Sequence, residues 1–168
     1  MIHVVLRNAL VVLSGMTSAI GLANEFQGVG TCPAGGTMSI VTAGPYKGRA
    51  FDLKKIETFR PTFSDLIGNP EHWTATFVGP AEENRKYVSA KGAVVVFFTC
   101  EARNCAAAEM YGVIDERNGA IGVRVTEKGK ATVKGALTDV GNAAIACAKE
   151  LDQQVAKRAE ESLKRGKP

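Results

Sequence analysis

The chain has 168 residues, 45% of them hydrophobic, and its 21 basic and 17 acidic residues give a net charge of +4. This length suits one domain with a modest core. Basic and acidic residues are mixed along the chain, and no dense Lys/Arg block with interleaved aromatic residues occurs, which argues against a nucleic-acid-binding surface.

The N-terminal residues 1–23 have the pattern of a Sec-type signal peptide. Arg7 is the only charged residue before Glu25, and an apolar stretch follows it at residues 9–22. Small residues at Gly21 and Ala23 predict cleavage after Ala23. A retained membrane anchor is the alternative, but the apolar run is shorter than a normal span. We therefore predict an exported, periplasmic protein that has no contact with the membrane after cleavage.

Residues 24–50 are rich in Gly, Thr and Ala and predict irregular structure with one short strand near residues 38–41. A short helix is predicted at residues 62–67, where Pro61 marks the start and Gly68 the end. Residues 51–160 are predicted to form a single domain.

Strand-like patterns dominate the middle of the chain. The segment at residues 93–99 is apolar on both faces, which indicates a central strand. The Asn118-Gly119 pair predicts a two-residue type I′ hairpin turn. The strand-like segments are residues 73–78, 85–89, 93–99, 109–115, 121–126 and 131–134. We expect an α+β fold with a central antiparallel sheet of about five strands.

The end of the chain changes from strand to helix periodicity. From Thr138 or Asp139 onward, apolar residues recur at three- and four-residue spacing, which predicts a helix packed on one face of the sheet. These residues are Val140, Ala144, Cys147, Leu151 and Val155. The helix could also serve in dimerisation, so a homodimer is possible. Residues 161–168 are predicted to form a charged tail that frays.

The four cysteines predict two disulfides if the protein is exported. Three pairings are possible; proximity favours Cys100 with Cys105, which leaves Cys32 to bond Cys147. A zinc site is the weaker alternative, because no Cys-x-x-Cys pair exists and His72 is the only histidine left after cleavage. No sequence motif points to a cofactor, and we predict neither a cofactor nor a metal site.

The segment from Cys100 to Cys105 is the strongest candidate for a functional site. A disulfide across this spacing would make a short, rigid, charged loop held up by two strands. A pre-ordered loop loses little entropy on binding and is therefore suited to enter a cleft. The alternative is a hairpin turn whose disulfide only stabilises the fold. The four inner residues are Glu101, Ala102, Arg103 and Asn104.

Catalysis has little support in the sequence. A Ser-His-Asp or Cys-His arrangement would need His72, and a lone histidine is more often a surface or structural residue. No pair of carboxylates stands out, and the glycine-rich segments lack the context of a phosphate loop. We predict that the protein is not an enzyme, and a hydrolase with an unrecognised carboxylate site is kept as an alternative.

Half of the mature chain resembles the inhibitor of vertebrate lysozyme (Ivy) family of the Gram-negative envelope. The resemblance rests on helix 63–68 before Trp73, the Gly79-Pro80 pair, the apolar strand 93–99, the Cys-x4-Cys loop and the strand and turn at 111–122. It implies a central antiparallel sheet with a packed helix. It also implies that the disulfide-closed loop enters the active-site cleft of a c-type lysozyme.

The inner loop residues differ from those typical of the family, Cys-Lys-Pro-His-Asp-Cys, in which the histidine engages the two catalytic carboxylates. Arg103 stands at the histidine position, and a guanidinium is a good bidentate partner for carboxylates. Glu101 introduces an acid where the family has a base. We expect Arg103 to be the anchor, with Glu101 and Asn104 as flanking contacts, in an inhibitor of lysozyme or a related peptidoglycan hydrolase. An envelope structural or interaction module that docks through its C-terminal helix is the alternative.

Overall fold

The computed structural model describes residues 28–77 and 79–165, so the predicted signal peptide lies outside the described residues. Its elements are β1 (Gly30–Thr31), β2 (Thr37–Ile40), a 3-10 helix (Ala50–Lys55), α1 (Phe59–Ile67), α2 (Trp73–Thr76), β3 (Arg85–Ser89), β4 (Gly92–Cys100), β5 (Ala108–Ile114), β6 (Ile121–Glu127), β7 (Lys130–Gly135) and α3 (Asp139–Arg165). The predicted α+β class is confirmed.

In the described part of the chain, seven strands form one antiparallel sheet in chain order, β1 to β7. The sequence predicted about five strands and therefore understated the sheet. Strand β2 corresponds to the one short strand predicted near residues 38–41, whereas β1 comes from a part of residues 24–50 that was predicted to be irregular. Strand β2 joins the sheet because it pairs with β3, and Met38 lies opposite Tyr87.

Both faces of the sheet are covered by helices. Alternate side chains of β4 point to opposite faces and contact different helices. Val95 and Phe97 pack with α1 and the 3-10 helix, whereas Val94 and Val96 pack against α3. Phe97 lies opposite Gly112 on β5, and its ring occupies the space that a Cβ at Gly112 would need. The predicted packing of the C-terminal helix on one face is confirmed.

The segment at residues 73–78, predicted to be a strand, instead begins with the short helix α2. His72 is the N-cap of this helix, and its Nδ1 atom accepts a hydrogen bond from the backbone N–H of Thr74 at 3.4 Å. Phe77 ends the helix with φ of 52° and is buried in the core. The local cap and the burial of Phe77 thus outweigh the alternating pattern of the sequence.

Helix α1 is longer than predicted and begins at Phe59. Pro61 lies in the first turn, where a helix leaves N–H groups unpaired, so the missing donor costs little. The helix ends as predicted at Gly68, which has φ of 77°.

The prediction of a two-residue turn at Asn118-Gly119 is wrong. Ile114 and Ile121 are the last paired residues of β5 and β6, and only Gly119 of the Asn-Gly pair has positive φ. Asp115 Oδ1 accepts a hydrogen bond from the Arg117 backbone, which stabilises a longer loop. A two-residue turn with positive φ at both positions occurs instead at residues 128 and 129, between β6 and β7.

Helix α3 extends past the predicted domain boundary at residue 160 and is still helical at Arg165. Its buried face matches the predicted stripe at Ala144, Cys147, Leu151 and Val155. Val140 is only half-buried. Between Val155 and Arg165 most residues of the helix are exposed.

Candidate functional site

The predicted loop connects β4 to β5. Cys100 is the last residue of β4 and is buried, and it forms a disulfide with the half-buried Cys105. The second disulfide joins Cys32 to Cys147. These are the predicted pairs, in which proximity favoured Cys100 with Cys105 and left Cys32 for Cys147. Because all four cysteines are bonded in pairs, none of them is available as a zinc-binding thiolate.

The backbone of the loop folds into consecutive turns. Glu101 N–H donates to Ala108 C=O at 3.0 Å, and Asn104 N–H donates to Glu101 C=O at 3.0 Å. Ala108 N–H donates to Asn104 C=O at 2.9 Å, and Lys128 N–H donates to Ala107 C=O at 2.9 Å. The loop is therefore held by internal hydrogen bonds and by the β6–β7 turn, in addition to its disulfide.

A short segment before β3 supports the base of the loop. Ala81 pairs with Thr99, and the N–H of Cys100 donates to the carbonyl of Pro80 at 3.3 Å. A Cβ atom at Gly79 would lie 1.6 Å from the carbonyl oxygen of Cys100. Only glycine can therefore occupy position 79 without displacing the end of β4.

The inner residues of the loop present one unpaired cation. Ala102, Arg103 and Asn104 are exposed, and Arg103 has φ of 66°. Within residues 28–77 and 79–165, the Arg103 guanidinium has no ion-pair or hydrogen-bond partner. Glu101 Oε2, by contrast, accepts a hydrogen bond from Asn104 Nδ2 at 2.6 Å. Among the described residues, the carboxylate of Glu101 is thus hydrogen-bonded inside the loop, whereas the guanidinium of Arg103 can bind a partner molecule.

An open groove of about 870 Å³ lies beside the loop. Its lining comes from α2 and the residues before it, from the Cys100–Cys105 loop and the start of β5, and from the β6–β7 hairpin. The lining residues include Trp73, Glu101, Asn104, Val125, Lys130 and Thr132. The sequence predicted a function for the loop but gave no sign of this groove.

Glu127 is held in place at the groove by two ring donors. Its Oε1 atom accepts a hydrogen bond from Trp73 Nε1 at 2.5 Å and lies 3.1 Å from His72 Nε2. The opposite ring nitrogen of His72 accepts from the Thr74 backbone, so Nε2 is the donor toward Glu127. His72 therefore has a structural position, and no Ser or Cys nucleophile is among its hydrogen-bond partners in the described residues.

A buried ion pair joins the sheet to α3. The side chain of Arg85 is 1% exposed and donates to both carboxylate oxygens of Asp152, at 2.6 and 3.0 Å. Tyr111 also donates to Asp152 at 2.8 Å. Burial opposes the charged form of Arg85, but the bonds to Asp152 outweigh it and raise the guanidinium pKa.

Glu82 adjoins this ion pair and is partly desolvated. Burial is the main cause that raises the pKa of its carboxyl to about 7, and the negative charge of Asp152 adds to the effect. Arg85 Nη2 lies 3.3 Å from Glu82 Oε2, within ion-pair distance, but this oxygen accepts no hydrogen bond from the described residues. A pKa of about 7 places the titration of Glu82 near neutral pH.

Comparisons of the chain with protein-family models, with curated proteins and with solved structures found no match. Membership of the Ivy family therefore stays a prediction. Among the described residues, no helix is long and apolar enough to cross a membrane, and no group of three or more His, Cys, Asp or Glu side chains could hold a metal ion. Two disulfides are typical of a protein that folds in an oxidising compartment.

Proposed function

We propose that this protein is an exported, periplasmic inhibitor of a lysozyme-type peptidoglycan hydrolase and that it inserts the Cys100–Cys105 loop into the active-site cleft. The observation that carries the proposal is the exposed guanidinium of Arg103, which has no partner among the described residues, on a loop closed by a disulfide and internal hydrogen bonds. Because the loop is already ordered, its insertion loses little conformational entropy.

The charges of the loop fit a cleft that contains carboxylates. Retaining and inverting glycosidases use a pair of Asp or Glu side chains, and a guanidinium binds carboxylates through two parallel hydrogen bonds. Glu101 would repel such a pair if it pointed into the cleft. Its hydrogen bond to Asn104 instead holds it within the loop, on the side of the groove.

The test is inhibition of c-type and then g-type lysozyme by the oxidised mature protein. Arg103→Ala should weaken inhibition by about 2 kcal/mol, or roughly thirtyfold, if Arg103 is a binding hot spot. Arg117→Ala is the matched control, because Arg117 is an exposed arginine in the β5–β6 turn at the opposite end of the sheet. Arg103→Lys keeps the charge but loses the bidentate geometry, so its effect should be intermediate.

Removal of the loop disulfide by substitution provides a second test of the loop. A Cys100→Ser, Cys105→Ser variant should fold, because the Cys32–Cys147 disulfide remains, and it should inhibit less well because its loop is no longer constrained. If the oxidised protein inhibits neither lysozyme at micromolar concentration, or if Arg103→Ala inhibits as well as the parent, the loop is not the inhibitory element.

An envelope interaction module is the second candidate, and the end of α3 favours it. Leu163 is 73% exposed on the last turns of α3, where most residues are exposed, which suits docking to a partner. Truncation after Val155 removes these turns and keeps Asp152 in place. An inhibitor should keep its affinity for the hydrolase after this truncation, whereas a docking module should no longer co-purify with its envelope partner.

A further inference from the structure

The groove beside the loop contains the only tryptophan of the chain, Trp73. Its volume of about 870 Å³ is within the range of natural ligand sites. The apolar part of its lining comes from Trp73, Val125, Ala107 and Ala108. An aromatic side chain together with small apolar residues gives a surface on which a flat or ring-shaped ligand can lie.

The groove is lined by charges of both signs, with one more acid than base. Glu71, Glu101 and Glu127 contribute acids, and Lys128 and Lys130 contribute bases. A phosphate or another strong anion would meet the three carboxylates, and a strong cation would meet the two lysines. The lining therefore favours an uncharged ligand that is held by hydrogen bonds.

The polar groups of the groove suit a ligand with many hydroxyl groups. Trp73 and His72 both contact Oε1 of Glu127 and fix the carboxylate, while Oε2 has no partner within the described ranges. This oxygen can accept a hydrogen bond from a ligand hydroxyl. The Thr132 hydroxyl and the Asn104 side chain lie on the same groove and add further hydrogen-bonding groups.

We propose that this groove binds a segment of an uncharged oligosaccharide. A sugar ring has an apolar face that can cover Trp73 and a rim of hydroxyl groups that can bond to Glu127 and Thr132. The groove is open to solvent, so a ligand longer than the groove can extend beyond it. This site does not depend on Arg103 and would exist whether or not the loop inhibits a hydrolase.

The experiment is a titration of the oxidised protein with the uncharged trimer of N-acetylglucosamine, followed by tryptophan fluorescence and by calorimetry. Because Trp73 is the only tryptophan, a saturable change in fluorescence reports on the groove itself. An anionic trimer of galacturonic acid should bind more weakly than the uncharged trimer, since its carboxylates would face those of the groove.

Variants of Glu127 and Thr132 assign the binding to the groove. Glu127→Ala should weaken binding about tenfold or more, whereas Glu127→Gln should stay close to the parent because a sugar hydroxyl can also accept from an amide. Thr132→Val removes the hydroxyl group and should weaken binding several-fold. Valine also forms strands well, so the exposed strand β7 should be preserved. Glu150→Ala, on exposed α3 across the sheet, is the control and should have no effect.

Three results would overturn the proposal. The first is the absence of any fluorescence change or heat with the trimer at millimolar concentration. The second is unchanged affinity in both Glu127→Ala and Thr132→Val. The third is equal affinity for the uncharged and the anionic trimer, which would show that the charges of the groove do not select an uncharged ligand. Loss of lysozyme inhibition in Arg103→Ala with sugar binding intact would separate this site from the proposed function of the loop.

Discussion

Arg85 on β3 and Asp152 on α3 form a two-bond ion pair, with Nη1 donating to Oδ1 at 2.6 Å and Nη2 donating to Oδ2 at 3.0 Å. Arg85 Nη1 also donates to the carbonyl of Gly28 at 3.0 Å, and a Cβ at Gly28 would lie 2.3 Å from Asp152 Oδ1. One ion pair thus connects three parts of the molecule: the N-terminal end of the described chain, strand β3 and helix α3.

The first prediction concerns this ion pair. Asp152→Ala should lower the free energy of unfolding by about 3–5 kcal/mol, because it leaves the buried Arg85 charge without its partner. Urea unfolding with both disulfides intact measures the effect, and Glu150→Ala on the exposed side of α3 should change it by less than about 0.5 kcal/mol. A double variant, Arg85→Met with Asp152→Leu, should lose less than Asp152→Ala alone, since no unpaired charge remains.

The second prediction concerns the pH dependence of stability. The folded-state pKa of Glu82 is about 7, above its ordinary value of 4.5, because burial and Asp152 disfavour the charged form. The protonated carboxyl therefore contributes stability that is fully present below the unfolded-state pKa and is lost as the pH rises through about 7.

Glu82→Gln isolates this effect. The free energy of unfolding of the parent minus that of Glu82→Gln should decrease between about pH 5 and about pH 8, as the parent carboxyl ionises beside Asp152 and Arg85. Other titrating groups, such as Asp115 with its pKa lowered to about 2 by hydrogen bonds from Arg117, are common to both proteins and cancel. A difference that is constant across this range would show that Glu82 does not titrate there.

The third prediction compares the two disulfides. Cys32 and Cys147 are 115 residues apart in sequence, whereas Cys100 and Cys105 are 5 apart. In the chain-entropy model, replacing the first pair by serine should cost about 4–5 kcal/mol, and replacing the second about 2 kcal/mol. Urea unfolding of the two double variants tests this order, and equal losses would contradict it.

The fourth prediction concerns the support of the loop. Gly79→Ala places a methyl group against the Cys100 carbonyl and should destabilise the protein by about 1–3 kcal/mol, as overpacking does elsewhere. It should also displace the base of the loop and weaken lysozyme inhibition if the proposed function holds. Ala102→Gly in the exposed part of the loop is the comparison and should leave the stability nearly unchanged.

Much of the fold could be predicted because its signals are local. Strand β4 was recognised from a run that is apolar on both faces, and α3 was recognised from its stripe of apolar residues. The segment at Trp73 was assigned wrongly because alternating residues resemble a strand. Its helical state depends on the cap by His72 and on the place of Phe77 in the core, and neither can be read from periodicity.

The polar sites could be predicted only in part. Asp152 follows Ala148 by four residues and precedes Val155 by three, so its position on the buried face of α3 was a signal that a partner must exist. The identity of that partner, Arg85, depends on the order of strands across the sheet. The groove escaped prediction for the same reason, because Trp73 and Glu127 are 54 residues apart and meet only after folding.

The disulfide between Cys32 and Cys147 also determines how the molecule would respond to mechanical tension. A force applied to the two chain ends would pass through Cys32, across the sulfur–sulfur bond and into α3, so that β2 to β7 would carry no load. Stretching the oxidised protein should extend only the residues outside this covalent ring. An anchored or translocating chain would keep β2 to β7 folded under a pull that unravels an unlinked domain.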